Sequence, residues 1–258
     1  MRDLTVLIPC WNDAEALSVT LTAFDSLPPQ LKERLDVVVS DGASKDHTLS
    51  VLAAHTGLVR HVSSRPDQGV YDALNLGLTC TSGSHVWVVG AGDVPNAECL
   101  AHALDVLATD PSPKAHAWSV AALPPLESGV PARFEPTWGE TLTWKNTMHH
   151  QGLVAPRKWL EGHPFDTTLN VLGDYGQMLE WRNVGHHIAC HPERTLCRVA
   201  PAGLSRSFNA ALYKEEWRMK KKRLRGPRLW AQPFWLLAKW AFKQVSTVAK
   251  ISGSSTPQ

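Results

Sequence analysis

The sequence predicts an α/β fold built on a doubly wound, mostly parallel sheet. Over the first hundred residues, short Val-rich runs take turns with longer segments whose apolar residues recur every three or four positions. The short runs do not alternate polar and apolar residues, which is typical of strands buried on both faces of a parallel sheet. Strand and helix in strict turn indicate a doubly wound arrangement. With 258 residues, 43% of them hydrophobic, the chain is long enough for one full core.

Four strands and four helices are predicted in this region. The strands are LTVLIP, DVVVSD, LVRHVS and HVWVVG, which begin at residues 4, 36, 58 and 85. A helix-start signal, Ser44-Lys45-Asp46, precedes the second helix. The apolar positions that mark the first, third and fourth helices are Ala14, Leu17, Leu21 and Phe24; Val70, Ala73, Leu74, Gly77 and Leu78; and Leu100, Ala103, Leu104 and Leu107.

The regular pattern breaks near residue 108. Six prolines follow before residue 140, so we expect loops there, with one or two edge strands. Order returns in TMHHQGLVAP and VLGDYGQMLEWR. The predicted organisation is a main domain over 1–205, divided into halves 1–108 and 109–205, then a basic, Trp-rich helical extension over 206–250 and a disordered tail over 251–258.

Charge is nearly balanced over the whole chain but concentrated in one segment. The 26 Lys and Arg stand against 24 Asp and Glu, so nothing indicates a nucleic-acid partner. Residues 214–228 hold eight basic side chains against only Glu215 and Glu216, which predicts a local basic face. Five cysteines without a CxxC pair, the lack of a signal-peptide pattern and the lack of an apolar run of roughly 18 to 20 residues predict a cytoplasmic protein with no membrane span.

Polar turns follow all four predicted strands. In an open α/β sheet, ligands bind beyond the carboxyl ends of the strands, and the acids Asp13, Asp41, Asp67 and Asp93 all fall in these turns. Helix N-capping explains Asp13, Ser44 or Asp93 about as well as ligand binding does. Capping, however, does not require an acid at every strand end. A group of acids there indicates a hard divalent cation, Mn²⁺ or Mg²⁺, that neutralises a substrate diphosphate.

Two common nucleotide-binding patterns are absent. A dinucleotide site is expected to show G-x-G-x-x-G after the first strand, where this chain has PCWND. The phosphate-binding pattern G-x-x-x-x-G-K-[ST] does not occur anywhere in the sequence. The ordinary NAD and P-loop interpretations are therefore poor.

Six segments, in this order, resemble the family 2 glycosyltransferases of the GT-A fold. They are LIPCWNDAEALSVTLTAF, VVVSDGASKDHT, RPDQGVYDALNLGL, VWVVGAGDV, HHQG and GDYGQMLEW. The resemblance is strongest over residues 1 to about 108, and PDQGVYDALNLG is similar to bacterial polysaccharide-assembly members. It implies that 1–205 is a GT-A catalytic domain with a Rossmann-like nucleotide-binding half.

The resemblance also implies where the donor binds. Asp13 and Asp41 are expected along the nucleotide, with Asp41 bonded to the base, and the segment from Asp67 to Asn75 along the nucleoside or donor sugar. His150 and Gln151 are expected on the diphosphate or acceptor, although a histidine satisfied by backbone at the edge of the core is an equal alternative. The implied donor-binding residues are Pro9, Asn12, Asp13, Asp41, Gly42, Asp67, Gly69, Tyr71, Asp72, Asn75, Gly92, His150 and Gln151.

Two further acids are given chemical roles by the resemblance. Asp93 falls where the family carries its D-x-D signature, but Gly90 stands in place of an earlier acid. A single carboxylate still ligates Mn²⁺ or Mg²⁺ when a diphosphate and water supply the other oxygens, so Asp93 is the expected metal ligand. Asp174 matches the motif that supplies the general base. The alternatives are that Asp93 caps a helix or lies in solvent, and that Asp174 only begins a helix.

The C-terminal extension carries a helical stripe of large apolar residues beside a basic run. Trp230, Phe234, Leu237 and Trp240 recur at helical spacing, with Lys239 and Lys243 at the side of the stripe. A basic helix with a Trp-rich face is typical of peripheral membrane contact, here through residues 214–250 on the inner face of the cell membrane. The alternative is that the stripe packs on the core or on another subunit.

Together these features predict an inverting, metal-dependent transferase. It would move a sugar, a hexose or a related one, from a nucleotide-diphospho-sugar to a glycan or lipid-linked acceptor in surface polysaccharide or glycolipid synthesis. Two alternatives are a catalytically silent, membrane-associated partner in a glycan-assembly complex and a sugar-phosphate nucleotidyltransferase. The latter is expected to have a glycine-rich, basic first turn, which PCWND is not.

Overall fold

One nine-stranded sheet runs through the part of the chain that the structure describes. The computed structural model describes residues 3–110, 114–124, 131–200 and 210–241. The strands are β1 (Leu4–Cys10), β2 (Leu35–Asp41), β3 (Val59–Ser64), β4 (His85–Val88), β5 (Val94–Pro95), β6 (Ala115–Ala122), β7 (Arg133–Phe134), β8 (Leu153–Pro156) and β9 (Ile188–Val199). Their order in the sheet is β3-β2-β1-β4-β8-β6-β9-β5, with β7 paired to β6.

The first four strands form the predicted parallel half. β1 pairs in parallel with both β2 and β4, and β2 pairs in parallel with β3, so the carboxyl ends of all four strands lie at one edge. Every residue of β2 and β4 is buried, as expected for strands covered on both faces. The connecting helices are α1 (Ala14–Asp25), α2 (Pro29–Arg34), α3 (Thr48–Ala54), α4 (Val70–Leu78) and α5 (Ala97–Thr109). The predicted fold class is confirmed.

The second half of the sheet is mixed, and one expectation about it was wrong. β8 runs antiparallel to both β4 and β6, and β9 runs parallel to β6 and antiparallel to β5. Residues 110 to about 140 were expected to be loops with one or two edge strands, but β6 lies inside the sheet between β8 and β9. Its sequence, AHAWSVAA, is mostly small residues, so it lacks the Val-rich signature although its first six residues are buried.

The remaining helices lie on the second half of the sheet and beyond it. They are two short 3-10 helices, Glu140–Thr143 and His150–Gly152, and the α-helices α6 (Arg157–Gly162), α7 (Gly173–Asn183), α8 (Ala210–Arg223) and α9 (Gly226–Trp230). Residues 232–241 are also helical. Within the described ranges, no helix combines the length and apolar character needed to cross a bilayer. The domain limits stay predictions, and the proposed tail, 251–258, and Lys243 lie outside the described residues.

The helical extension is tied to the rest of the chain by a buried ion-pair network. Lys220 is fully buried, and its Nζ atom contacts Glu216, the Gln232 side chain and the Trp144 carbonyl oxygen, each at 2.9 Å. Lys239 Nζ lies 2.7 Å from the other carboxylate oxygen of Glu216. Burial lowers the pKa of Lys220, although Glu216 acts in the opposite direction. The predicted basic face therefore excludes Lys220, which was expected to belong to it.

Candidate active site

A cavity of about 530 Å³ lies beyond the carboxyl ends of β1 and β4. Its walls come from these strand ends, from α4, from the His150 segment, from the start of α7 and from the C-terminal helices. Six of the residues singled out in the sequence line it: Pro9, Tyr71, Asp93, His150, Gln151 and Asp174. Pro9 and Asp174, which are 165 positions apart in the chain, thus meet in one cavity.

Asp174 lies in the first turn of α7 and is hydrogen-bonded to Tyr71. The Tyr71 hydroxyl is 3.2 Å from Asp174 Oδ1 and donates to the Val171 carbonyl oxygen at 2.7 Å. Burial, with the nearby Asp174 charge, raises the pKa of Tyr71 well above its usual value, so this hydroxyl stays protonated. The Asp174 side chain is half-buried and opens into the cavity. It is placed to accept a proton from a bound hydroxyl group.

Gly173 allows Tyr71 to approach α7 closely. A Cβ atom at position 173 would lie 2.7 to 2.8 Å from three carbons of the Tyr71 ring, which is closer than side chains tolerate. The ring stacks on Phe165 on another side, with ring centroids 5.7 Å apart. The absence of a side chain at Gly173 therefore brings the hydroxyl of Tyr71 next to Asp174.

His150 has two ring nitrogens that find no partner in the protein. Both are buried, and neither makes a hydrogen bond to any of the described residues. The ring packs edge-on against Phe165, with centroids 5.7 Å apart, and burial lowers its pKa, so the ring is neutral. A neutral imidazole offers one donor and one acceptor. Because unpaired buried polar atoms are costly, this ring is suited to binding a polar ligand in the cavity.

Asp93 neither caps a helix nor lies in solvent. Asn96 is the N-cap of α5, where its side chain accepts from the Cys99 amide, and Asp93 is only 3% exposed. The Asp93 carboxylate instead accepts hydrogen bonds from the amides of Gly90, at 2.8 Å, and Ala200, at 2.9 Å, and from the Gln151 side chain. Burial raises the pKa of Asp93 to about 6, although these hydrogen bonds act to lower it.

The glycines around Asp93 serve the turn that carries it. Gly92 has a φ of 91°, in the left-handed region that favours glycine, and its amide donates to the Thr20 hydroxyl. A Cβ atom at Gly90 would lie 2.9 Å from Asp93 Oδ2. The GAGD sequence therefore folds the carboxylate back over its own turn and towards the cavity.

The residues around Asp93 fit a divalent cation held largely by a substrate. Within the described parts of the chain, no three His, Cys, Asp or Glu side chains are grouped closely enough to form a metal cage. A carboxylate has about four acceptor positions, and those of Asp93 receive three hydrogen bonds, so one position remains. Mg²⁺-type sites commonly combine one or two carboxylates with substrate phosphates and water. Asp93 suits such a site as its single protein ligand.

The ends of β1 and β2 are joined by a network of short polar contacts. The Asp41 carboxylate accepts hydrogen bonds at 2.5 Å from the hydroxyls of both Ser44 and Ser64. The Asn12 side chain accepts from the Lys45 amide at 2.7 Å, and Asn12 has a φ of 49°. Asp13 is exposed at the N-cap position of α1 but makes no capping bond, since Asp46 accepts from the Ala14 amide instead. Asp13 and Asp41 lie at the same edge of the sheet as the cavity, but neither lines the cavity.

The polar side chains between Asp67 and Asn75 bind backbone groups of the protein itself. Asp67 accepts from the Gly69 amide, and Asp72 accepts from the Gln68 amide, so both carboxylates stabilise the start of α4. The Asn75 amide exchanges two 2.9 Å hydrogen bonds with the backbone of Phe165. Asn75 was expected along the donor, but its polar atoms are directed to Phe165 and it does not line the cavity.

An exposed tryptophan stands beside these strand ends. Trp11 is 68% exposed and lies against Gly42, which also packs on the Asp67 carboxylate. An aromatic ring left this open to solvent is a flat surface on which a planar ligand can stack. The motif PCWND was noted in the sequence, but composition alone gave no reason to single out its tryptophan.

Comparison with known families agrees with this geometry. Residues 5–117 match the model described as Glycosyl transferase family 2. The match covers less than half of the 258 residues, so the likeness to glycosyltransferase family 2 is shown for residues 5–117. The matched range contains the whole parallel half of the sheet and Asp93, and it ends within β6.

Individual relatives match only part of this chain. A PGL/p-HBAD biosynthesis glycosyltransferase of Mycobacterium bovis is 34% identical over 92 residues, which are 34% of this chain and 35% of the relative. The chain thus spans about a third of the length of the curated relatives it matches.

Solved structures confirm the GT-A fold. Staphylococcus aureus TarS 1–349, in complex with UDP-GlcNAc, is 17% identical, with a TM-score of 0.67 over 84% of this chain and 65% of that chain. The mannosyltransferase PcManGT of Pyrobaculum calidifontis, in complex with GDP-Man and Mn²⁺, is 19% identical, with a TM-score of 0.63 over 100% of this chain and 77% of the other.

The C-terminal helices form a cavity wall that sequence reasoning missed. Lys239, Glu216 and Tyr213 line the cavity, and Lys145 joins them from the segment before His149. The sequence did carry a signal, because Glu215 and Glu216 are the only acids in the basic run from 214 to 228. Both are buried, at 7% and 3% exposure, so they anchor α8 instead of facing solvent.

Proposed function

We propose that this protein transfers a sugar from a nucleotide-diphospho-sugar to a hydroxyl group, with inversion at the anomeric carbon. One observation carries the proposal: Asp174, the unpartnered His150 and Asp93 line one cavity at the carboxyl edge of β1 and β4. A carboxylate base, a neutral hydrogen-bonding ring and a carboxylate suited to a cation are the groups that displacement of a diphosphate needs.

The nucleoside is assigned to the strand ends next to the cavity. Trp11 offers an exposed ring for stacking. Asp41, which was expected to bond the base, is 1% exposed at the end of β2 and holds the hydroxyls of Ser44 and Ser64 beneath that surface. Asn12 and Asp13 follow β1 on the same edge, and Gly42 leaves room beside Trp11. The diphosphate then extends into the cavity towards Asp93, where His150 and Gln151 bind its oxygens. TarS and PcManGT, which share the fold, were solved with UDP-GlcNAc and GDP-Man.

The chemistry is a direct displacement driven by Asp174. Its free carboxylate oxygen takes the proton from the acceptor hydroxyl. The acceptor oxygen attacks the anomeric carbon as the bond from that carbon to the diphosphate breaks, and the nucleoside diphosphate leaves. Tyr71 keeps the carboxylate in place through its hydroxyl group, at 3.2 Å. A divalent cation at Asp93, Mn²⁺ as in the PcManGT complex or Mg²⁺, would neutralise charge on the departing diphosphate.

The acceptor is assigned to the membrane surface as a lipid-linked glycan or a glycolipid. Trp230, Phe234 and Leu237 are 74%, 78% and 63% exposed, so the predicted stripe does not pack on the core. The same helical segment presents Lys239 to the cavity. A surface with exposed aromatic residues beside basic side chains is suited to an anionic bilayer, and it would hold the cavity close to a lipid-linked substrate. The mycobacterial relative is named for PGL/p-HBAD biosynthesis, which supports a role in glycolipid or surface-polysaccharide synthesis.

Thermal shift with a panel of nucleotide sugars and Mn²⁺ tests the donor assignment. A ligand that binds only the folded state raises the melting temperature, so one nucleotide class should stabilise the protein. The shift should shrink in Trp11→Ala and persist in Val184→Ala, a matched loss of an exposed apolar residue away from the site. Equal shifts in both variants, or no shift with any nucleotide sugar, would contradict the proposal.

The same panel separates the two alternatives. A sugar-phosphate nucleotidyltransferase would be stabilised by a nucleoside triphosphate and would release pyrophosphate from it. A silent partner would bind a nucleotide sugar weakly or not at all and would release no nucleoside diphosphate. Release of nucleoside diphosphate that depends on an acceptor supports the transferase.

A further inference from the structure

A buried carboxylate on α8 holds the loop that leads into Asp174. Glu215 Oε1 accepts hydrogen bonds from the amides of Val171 and Leu172, both at 2.8 Å, and Oε2 accepts from the amide of Asn170 at 3.0 Å. Glu215 is 7% exposed, so water competes little for these bonds. Three consecutive amides on one carboxylate are charge-assisted contacts, which are stronger than bonds between neutral groups.

The loop held by Glu215 is part of the active cavity. Asn170, Val171 and Leu172 all line it, and Leu172 is the N-cap residue of α7. Asp174 follows two residues later, and the Val171 carbonyl oxygen accepts the hydrogen bond from Tyr71. Two features position the Asp174 carboxylate: the start of α7 and the hydrogen bond from the Tyr71 hydroxyl. Both depend on this loop.

We propose that Glu215 is a positioning residue for the transfer reaction, through which the C-terminal extension sets the geometry of Asp174. This inference rests on the proposed role of Asp174 as general base. Glu215 does not line the cavity and does not touch the substrate. Loss of Glu215 should displace Asp174 and slow the chemical step, because a displacement of about 1 Å in a catalytic group lowers a rate by about 100-fold.

A neighbouring carboxylate provides a matched control. Asp166 lies in the same loop region and also binds α8, with its Oδ2 atom 3.0 Å from Lys222 Nζ and 3.3 Å from Arg223. It does not contact the amides of residues 170–172. Asp166→Asn thus loosens the attachment of α8 by the same carboxylate-to-amide change. Asp166 Oδ1 also accepts from the amide and hydroxyl of Thr168, but the substitution removes no bond to the amides of residues 170–172.

The test compares Glu215→Gln, Glu215→Asp and Asp166→Asn in the full chain. Hydrogen exchange of the peptide that covers residues 170–172 should speed up at least about tenfold in Glu215→Gln and stay near the wild-type rate in Asp166→Asn. The value of kcat should fall about 10- to 100-fold in Glu215→Gln, with KM for the donor unchanged, and should recover partly in Glu215→Asp. Unchanged exchange, or faster exchange with unchanged kcat, overturns the proposal.

A readout without turnover separates this inference from the proposed function. The ¹³C chemical shift of the Asp174 carboxyl group, assigned with Asp174→Asn, reports the surroundings of that group at one fixed pH. We expect this chemical shift to differ between wild type and Glu215→Gln but not between wild type and Asp166→Asn. If the wild type transfers no sugar from any donor, the proposed function fails, and this comparison still decides whether Glu215 positions Asp174. Identical chemical shifts in all three proteins overturn the inference.

Discussion

The Tyr71 hydroxyl lies 2.7 Å from the carbonyl oxygen of Val171 and 3.2 Å from Oδ1 of Asp174. One residue of α4 thus binds both the loop before α7 and the carboxylate in its first turn. This contact joins the parallel half of the sheet to the second half at the point where we place the chemistry. It makes the position of Asp174 depend on two distant parts of the chain.

Asp174→Asn should abolish most of the activity with little effect on folding. The amide keeps the size of the side chain but no longer accepts a proton, and loss of a general base lowers kcat by roughly 10²- to 10⁴-fold. Tyr71→Phe should have a smaller effect, because it removes only the hydroxyl that orients the carboxylate. Initial rates with the donor found by thermal shift would measure both. An Asp174→Asn variant with more than a tenth of wild-type kcat would exclude Asp174 as the base.

Gly173→Ala should destabilise the protein and impair catalysis together. The added methyl group would clash with the Tyr71 ring, and overpacking of this kind costs about 1 to 3 kcal/mol. Gly162→Ala is the matched control, because a Cβ at position 162 meets nothing within 4 Å. Urea unfolding and kcat would be measured on both variants. Equal stability of the two would show that Tyr71 does not need the space at Gly173.

The ionisation of Asp93 should make stability depend on pH in a defined direction. Burial raises its pKa from 3.8 to about 6, so the folded state binds this proton more tightly than the unfolded chain does. Its stabilising contribution is therefore complete below pH 3.8 and is lost as the pH rises through about 6. A difference of about two pKa units corresponds to about 3 kcal/mol.

Urea unfolding without metal, from pH 4 to 8, measures this contribution. Relative to Asp93→Asn, the wild type should lose about 2.5 kcal/mol of unfolding free energy across that range, because a small part of the contribution is already lost at pH 4. Asp93→Asn also disturbs the hydrogen bonds to Gly90 and Ala200, but that cost does not vary with pH. A constant difference between the two proteins would mean that Asp93 ionises as an exposed carboxylate does.

The exposed stripe on the C-terminal helices should bind anionic vesicles. Replacing Trp230, Phe234 and Leu237 together by Ser should weaken cosedimentation with anionic vesicles at least about tenfold, because apolar burial and charge act together at the bilayer surface. High salt should weaken binding of the wild type, and neutral vesicles should bind it poorly. The control replaces three other exposed apolar residues, Val19, Leu49 and Val184, by Ser. A triple variant that binds like wild type, or that changes only the oligomeric state, would exclude the membrane surface.

Local sequence patterns were sufficient for the parallel half of the fold. β1 and α1 were predicted correctly because Val-rich runs and helical spacing are decided by neighbouring residues. β6 was missed because AHAWSVAA carries no strand signature of its own and is buried by strands from other parts of the chain. The burial of β6 depends on strands that are distant in the sequence, so no short stretch of sequence predicts it.

The sequence identified the acids of the candidate site, but it did not identify the residues that surround them. Asp93 and Asp174 could be singled out, but the partners that define them lie far away in the sequence. Ala200, whose amide binds Asp93, is 107 residues later, and Tyr71 is 103 residues before Asp174. The sequence places Glu215 within a basic segment, and it does not reveal that this charged side chain is buried.

The most direct test of the account is a crystal structure with Mn²⁺ and the nucleoside diphosphate of the donor that stabilises the protein. We predict an anomalous Mn²⁺ peak within coordination distance of the Asp93 carboxylate, bridged to diphosphate oxygens, with the β-phosphate facing the cavity that holds Asp174 and His150. A diphosphate bound elsewhere, or a cation bound to the nucleotide on a face remote from Asp93, would contradict it.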